Sequence, residues 1–398
     1  MAFDLRPLTA DDRTQIPQLM ADAFGRGRVA QPPSPEDAQK PQSLILGIFD
    51  GSRLVAAGTI HDVTLTWGES SLRMGGLGGV ACVVDHRGRG HVARLLKESL
   101  VGMRSAGQPL SGLYPFSYAF YRRHGWEWVG EKRRYTVPLA EIASHPEGEF
   151  ATLVAVDDAL ADIKDCYARF TERYHGMTDR QAPNPNWWNG LNDRDGRRTY
   201  VYVYRDPKTG RADGYLNFRF PEEGGDTGTV GDFFANAPEA YRGLLSILHY
   251  YGTQVKKATW TAPVDDILTV HVMHHDLQSI AVPLFMGRVV DVAAAFEQIV
   301  VAGDIEGRVV VEIDDPICEW NSGTFALDAE GGRVGVKRAG GEEAGVRLDI
   351  QTLSQAFWGQ PSLSILRRAG KVDVVDESQF RLLSEILPST VCYLQDFF

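Results

Sequence analysis

The chain has 398 residues, 43% of them hydrophobic and 10% aromatic, which is enough for two or three domains with well-filled cores. Its formal net charge of −11 argues against a nucleic-acid partner and favours a cationic substrate. Cys82, Cys166, Cys318 and Cys392 are scattered without paired spacing, the N-terminal stretch is charged throughout, and no segment approaches a membrane span, so neither a metal knuckle, a disulfide framework, a signal peptide nor membrane insertion is expected, and a cytoplasmic protein is.

Phe3 and Leu5 suggest a first strand, and Thr9-Ala10-Asp11-Asp12 an N-cap feeding a helix through Ile16, Leu19, Met20 and Phe24. Four prolines make 31–41 a loop. Strands over 44–49 and 54–66 are joined by Asp50-Gly51, a hairpin signal, and a third strand follows Trp67-Gly68. An apolar run at 80–84 then stops at Asp85, passes through His86-Arg87-Gly88-Arg89-Gly90 and enters a helical pattern with Val92, Leu95, Leu96 and Leu100. Strand, basic glycine loop and helix start form a site for an anionic group, because glycine lets backbone N–H groups turn towards it and the helix terminus favours negative charge. Neither a Walker lysine nor a GxGxxG spacing is present, which weakens nucleoside triphosphate and dinucleotide readings; a plain solvated turn is the structural alternative.

The loop Arg87-Gly88-Arg89-Gly90-His91-Val92 resembles the acetyl-CoA motif of the GNAT N-acetyltransferases, Arg/Gln-x-x-Gly-x-Gly/Ala, with Val92 in place of the last small residue. The resemblance implies that Val80, Ala81 and Cys82 offer backbone groups to the pantetheine arm of acetyl-CoA and that the amides of Arg87, Gly88, Arg89, Gly90, His91, Val92 and Ala93 hold the pyrophosphate. Further on, Phe120-Tyr121 followed by Gly125-Trp126 matches the family's F-Y-x-x-x-G-[FW] pattern. Tyr121 then takes the place of the tyrosine that protonates the departing thiolate, and Phe116 and Ser117 lie near the arm. Read without the family, aromatic residues at this density are core.

From about residue 151 the order of elements repeats: a strand at 153–156, a helix over 158–174, strands at 199–204, 215–220 and 230–234, a helix over 238–257 and a strand at 258–261. The loop equivalent, Phe234-Ala235-Asn236-Ala237-Pro238-Glu239, lacks arginine and glycine and carries an acid, so this copy is expected to scaffold. Trp187 and Trp188 sit in a stretch, 183–192, that reads as a packing loop or an interface. His271 and His274, spaced i and i+3, read as a satisfied surface segment, and no metal site is expected. A third unit opens at 283–292 with Met286-Gly287-Arg288-Val289-Val290-Asp291-Val292. It continues with strands at 308–313, 323–327, 333–337 and 346–349 and helices at 350–357, 362–369 and 379–387, an antiparallel sheet with flanking helices similar to a sterol-carrier-protein-like domain. The chain closes on Cys392-Tyr393-Leu394-Gln395-Asp396-Phe397-Phe398, an aromatic end that exposes apolar surface unless it docks.

The order of units, the loop, Tyr121 and the tail together resemble the Eis family of tandem-GNAT acetyltransferases with a sterol-carrier-protein-like domain. The fold class this implies is mixed α/β: a catalytic GNAT domain over 1–147, a degenerate GNAT-like scaffold over 148–284 and a carrier-like domain over 285–398. It implies transfer of acetyl from acetyl-CoA, without a metal, to primary amines of aminoglycosides or similar polyamines by a homohexamer. Tyr121 would be the acid, and the α-carboxylate of Phe398, reaching the first domain's cleft, the base, with Asp396 adding attraction for polyamines. The alternatives are a lipid- or apolar-ligand-binding protein whose catalysis is lost, and a protein-lysine acetyltransferase using the same residues.

Overall fold

The computed structural model describes residues 3–24, 43–181, 185–193 and 196–398. The proline-rich stretch at 31–41 and the start of the 183–192 loop lie outside the described residues. The first unit runs β1 (Asp4–Pro7), α1 (Ile16–Phe24), β2 (Leu44–Asp50), β3 (Arg53–Trp67), β4 (Ser70–Cys82), α2 (His91–Ser105), β5 (Leu110–Leu113), α3 (Tyr118–Arg122) and β6 (Glu127–Pro138). The second runs β7 (Ala151–Val154), α4 (Val156–Thr171), β8 (Tyr200–Arg205), β9 (Ala212–Arg219), β10 (Thr227–Ala235), α5 (Pro238–Tyr251), β11 (Lys257–Pro263), α6 (Leu268–His271) and β12 (Gln278–Val289). The third comprises α7 (Val292–Gln298), β13 (Gly307–Asp314), β14 (Gly323–Glu330), β15 (Arg333–Arg338), β16 (Val346–Asp349), α8 (Ile350–Phe357), α9 (Leu363–Arg368), β17 (Asp373–Val374) and α10 (Glu377–Ile386).

Twelve strands form one sheet in the order β1-β2-β3-β4-β5-β12-β6-β11-β10-β9-β8-β7. The two copies of the strand-helix order join where β6 pairs antiparallel with β11 along Lys132 to Pro138. Within each copy the strands that flank the expected cofactor gap barely meet: β4 and β5 pair in parallel only from Met74 to Gly76, and β10 and β11 only from Thr227 to Thr229. The sheet therefore splays open twice, once in each copy.

Two sequence expectations are corrected here. The run Leu284-Phe285-Met286, expected to open the third unit, belongs to β12, which inserts between β5 and β6 in the large sheet. It reads as an unbroken apolar stretch because an inner strand is covered on both faces, and all three side chains are buried. The sheet of the third unit, ordered β15-β14-β13-β16-β17, is mixed, since β13 and β16 run parallel.

A buried ion pair ties the third unit to the first. Arg288 on β12 donates to Asp315 at 2.7 Å, with both side chains fully shielded from water, and its Nη1 donates to the carbonyl of His124. Gly125, at φ +88°, makes room for it: a Cβ there would stand 1.2 Å from Arg288 Nη1. The turn that ends α3, and with it Tyr121, is thus braced from behind by β12.

Candidate active site

β4 carries the first half of the site. Its register with β3 shifts by one residue, Ala57 facing Ala81 but Thr59 facing Gly78, and Gly79 takes φ +58°, so the strand bulges just before Val80. Past Gly76 it has left β5, and the edge that runs through Val80, Ala81 and Cys82 is available to an extended ligand arm.

The loop after β4 behaves as its composition requires. Gly88 and Gly90 adopt φ +75° and +80°, and a Cβ built at either would meet nothing within 4 Å, so the backbone faces open space. Gly90 begins α2 without a side-chain cap, leaving the first-turn amides free for an anion. The two arginines are partly occupied in shaping the loop: Arg87 Nε donates to the carbonyl of Cys82 and Arg89 Nη2 to that of Asp85.

A cavity of about 510 Å³ gathers Val80, Ala81, Cys82, Arg87, Gly88, Gly90, His91, Val92, Ala93 and Phe116, ten of the twelve residues expected to bind the cofactor. Arg89 stands exposed beside it, and Ser117 instead caps α3, its Oγ accepting from the amide of Phe120. Ala23 and Phe24 of α1, His86 and Phe120 complete the lining; His86 and Phe120 lie within the loop and the aromatic pattern already singled out, whereas no local pattern announced Ala23 and Phe24 as lining. His91 Nε2 is buried without a hydrogen-bond partner and the wall is mostly apolar below the open amides. This division suits a thioester cofactor with an apolar arm and a diphosphate: the strand edge would hold the pantetheine, the loop amides the phosphates.

Tyr121 is 3% exposed and is wedged edge-on against Phe116 and Phe120, with ring centroids 5.3 Å apart in both cases, and against Trp126. Burial pushes its phenol up to about 12, so it is protonated at any physiological pH and available as a donor. The aromatic cluster divides: Tyr121 and Trp126 are buried, as the family-free reading of core residues expects, whereas Phe116 is 68% exposed and lines the cavity.

The tail reaches this same strand. The ring of Phe398 lies over Gly76, where a Cβ would come within 2.5 Å of it, and its carbonyl oxygen lies 3.4 Å from the corresponding point at Gly78. Tyr114, between β5 and α3, stacks on Phe397 at 4.6 Å and donates its hydroxyl to the carbonyl of Asp396. On its way the tail crosses the second splay: Tyr393 Oη donates to Thr261 O of β11, and Gln395 Nε2 to Gly231 O of β10. The gap that is open in the first copy is therefore covered by the chain's own end in the second. The second copy's loop is also filled, because Arg173 donates to Ala235 O and Asn236 Oδ1, and Asp265 and Asp266 line what cavity remains.

One expectation about the tail is overturned. Asp396 is not free to attract a polyamine: Arg180 Nη2 donates to it at 2.7 Å, while Arg180 Nη1 donates to Asp232 at 2.7 Å and the guanidinium lies over Tyr167. This buried cluster fixes the tail: one guanidinium serves both carboxylates, so Asp396 is tied to Arg180 and a single negative charge remains on the group. Arg180, Asp232, Tyr114 and His61, which pairs with Gly76 and reaches its ring diagonally to Gly78, were invisible to sequence reasoning because only the tertiary fold brings them together. The histidines also differ from their spacing. α6 ends at His271, which stacks on Tyr241, and His274 gathers instead with His275 and Asp276 at the surface.

A profile of the acetyltransferase (GNAT) domain matches residues 4–129, a second GNAT-domain profile matches 176–289, and a sterol carrier protein domain matches 292–395. The chain is an N-acetyltransferase of the GNAT superfamily. An uncharacterized N-acetyltransferase of Streptomyces avermitilis is 27% identical to it over 94% of this chain and 93% of that protein. One of Streptomyces coelicolor is 25% identical over 77% and 76%. Among solved structures, a GCN5-related N-acetyltransferase from Anabaena variabilis superposes with a TM-score of 0.87 at 21% identity, and Eis1 from Mycobacterium abscessus with 0.81 at 20%, each over the full length of both chains. These likenesses show the fold of this GNAT enzyme. No helix among the described residues is long and apolar enough to cross a membrane.

Proposed function

We propose that this GNAT enzyme transfers acetyl from acetyl-CoA to a primary amine of an aminoglycoside or a similar polyamine, in the manner of the Eis enzymes. The observation that carries the proposal is the meeting on one strand, β4, of an open arm site at Val80, Ala81 and Cys82 and of Phe398 at Gly76 and Gly78, with Tyr121 buried beside the cavity. In this reading residues 1–147 catalyse, the second unit through β12 scaffolds, and the third unit from Val292 onwards delivers the tail.

An alkylammonium must lose a proton before its nitrogen can attack a thioester. A carboxylate on Phe398 fixes the ammonium by charge and takes or relays its proton, and backbone N–H groups at the β4 bulge stabilise the developing oxyanion. Tyr121 then gives its proton to the departing sulfur; a neutral phenol can do so without first ionising. Docking of the amine against fixed groups, which converts an encounter into an oriented contact, supplies much of the acceleration. The protein is proposed to act in the cytoplasm as a homohexamer. Thiol release from acetyl-CoA, measured against a panel of aminoglycosides and alkyl polyamines, tests the activity: turnover that is lost in Tyr121→Phe supports it, and no turnover with any amine removes it. Light scattering tests the oligomer.

A second reading has one observation in its favour. A cavity of about 520 Å³ between the first and third units is lined by Trp67, Ile299, Val301, Phe357 and Leu387, among others, and would suit an apolar chain. Native mass spectrometry of the purified protein decides it: a lipid adduct in the absence of bound CoA would favour a binding protein.

A further inference from the structure

We propose that His61 is the group that takes the proton from the incoming amine, while the Phe398 carboxylate holds the ammonium beside it. The inference rests on the acetyl-transfer reading above and deepens it. His61 lies half-buried on β3, across from the glycine run of β4. Its Nε2 is 3.1 Å from the point where a Cβ on Gly78 would stand, and the carbonyl oxygen of Phe398 is 3.4 Å from that same point, so the two are no more than 6.5 Å apart. An amine nitrogen placed between them can touch both. Any side chain at position 78 would fill that space, which gives this glycine a role that its ordinary backbone angles do not.

The other ring nitrogen is already engaged. Nδ1 lies 3.2 Å from Ser43 Oγ. With Nδ1–H donated to that hydroxyl, Nε2 carries the lone pair and faces Gly78. Burial lowers the imidazole from its ordinary value, which keeps it neutral, and therefore basic, at neutral pH. An ordinary imidazole stands about three pKa units above an α-carboxyl, and burial of His61 narrows that difference. Among the described residues, Ser43 Oγ and Gly78 of β4 lie against the ring, and the Phe398 carbonyl oxygen lies on the far side of the Gly78 position. Asp62, next along β3, projects to the opposite side, where Arg73 and Gln108 hold it.

The step balances without a further reactant. The ammonium gives one proton to Nε2, and its freed electron pair forms the C–N bond to the acetyl carbon. The C–S bond breaks with its electrons on sulfur, which takes the phenolic proton of Tyr121. The second proton on nitrogen restores the phenol, and His61 releases the first to solvent. The net products are the amide, free CoA and one proton.

The test is kcat/KM between about pH 5 and 9 for the wild type and His61→Gln, with acetyl-CoA and two acceptors: 1,4-diaminobutane, an ammonium at neutral pH, and 2,2,2-trifluoroethylamine, already neutral there. The substitution is expected to slow the diamine about a hundredfold and to abolish the limb on which activity falls as the imidazole protonates, below its ordinary value of 6.5. The trifluoroethylamine rate should fall by less than about tenfold, with acetyl-CoA affinity unchanged. A His61→Gln enzyme that keeps the wild-type rate and acid limb overturns the proposal. Should that variant lose acetyl-CoA binding, Ser43→Ala replaces it: a displaced acid limb supports the assignment and an unchanged one overturns it. A wild type that binds acetyl-CoA yet acetylates no amine would instead sink the acetyl-transfer reading, and His61 with it.

Discussion

Asp396→Ala isolates the docking of the tail from the chemistry. In the native protein this carboxylate accepts from Arg180 Nη2 at 2.7 Å and from Arg180 Nε at 3.1 Å, with its side chain about nine-tenths buried. Hydrogen bonds to a charged group contribute about 1.5–3 kcal/mol. Arg180 remains paired with Asp232 after the substitution, so no orphaned buried cation is left and the loss stays in that range. At about 1.4 kcal/mol per factor of ten, the docked tail is disfavoured by about 10- to 150-fold. Stacking of Phe397 on Tyr114 and the bonds from Gln395 and Tyr393 resist the release and hold the effect towards the lower end. The cavity proposed for acetyl-CoA shares no lining residue with the Arg180 cluster. Where native docking is favoured by no more than about the factor lost, steady-state thiol release with a saturating amine shows kcat lowered in proportion to the released fraction, and calorimetry an acetyl-CoA affinity unchanged within about twofold. Full kcat in an Asp396→Ala enzyme whose tail is shown by limited proteolysis to be released would refute the reasoning, because it would mean that the place of residue 398 does not matter to turnover.

Tyr121→Phe should lower kcat by about a hundredfold or more while leaving acetyl-CoA affinity intact, and the wild type should show no alkaline loss from this phenol until the pH nears 12, where burial has pushed it. Gly125→Ala places a methyl on Arg288 Nη1 at a positive φ and disrupts a fully buried pair, so thermal unfolding should report a loss of about 3 kcal/mol or more. His175, stacked on Trp67 and bonded through its Nδ1 to Thr390, has its pKa lowered to about 4 by burial. Its folded value lies below its unfolded one, so the stability it contributes is present above about 6.5 and is lost as pH falls towards 4. Because the backbone of His175 also pairs with Val391 and Tyr393, acid should loosen the tail. The fall in melting temperature between pH 7 and pH 5 should shrink in His175→Phe.

What could be read before the structure was what is local. The loop from Arg87 to Ala93 is legible because a glycine-rich turn and a helix start bind anions through their own backbone, whatever surrounds them. Tyr121 is legible through its pattern with Gly125 and Trp126, although the reason for that glycine, the guanidinium of Arg288, comes from 163 positions further along the chain. β12 was misplaced because an apolar run says that a strand is covered on both faces but not which sheet covers it. Asp396 was given the wrong task because a carboxylate's partner is not written beside it; Arg180 is brought to it by the loop after α4. His61 left no trace in sequence, being one polar residue within an otherwise ordinary alternating strand.

A crystal structure with CoA would show whether sulfur, amine and tail meet on β4 next to Tyr121. In that crystal the pantetheine arm should lie along Val80 to Cys82, with the sulfur within about 3.5 Å of Tyr121 Oη and residue 398 still seated over Gly76 and Gly78. An arm that enters elsewhere, or a CoA complex in which the tail has left β4, would contradict that meeting.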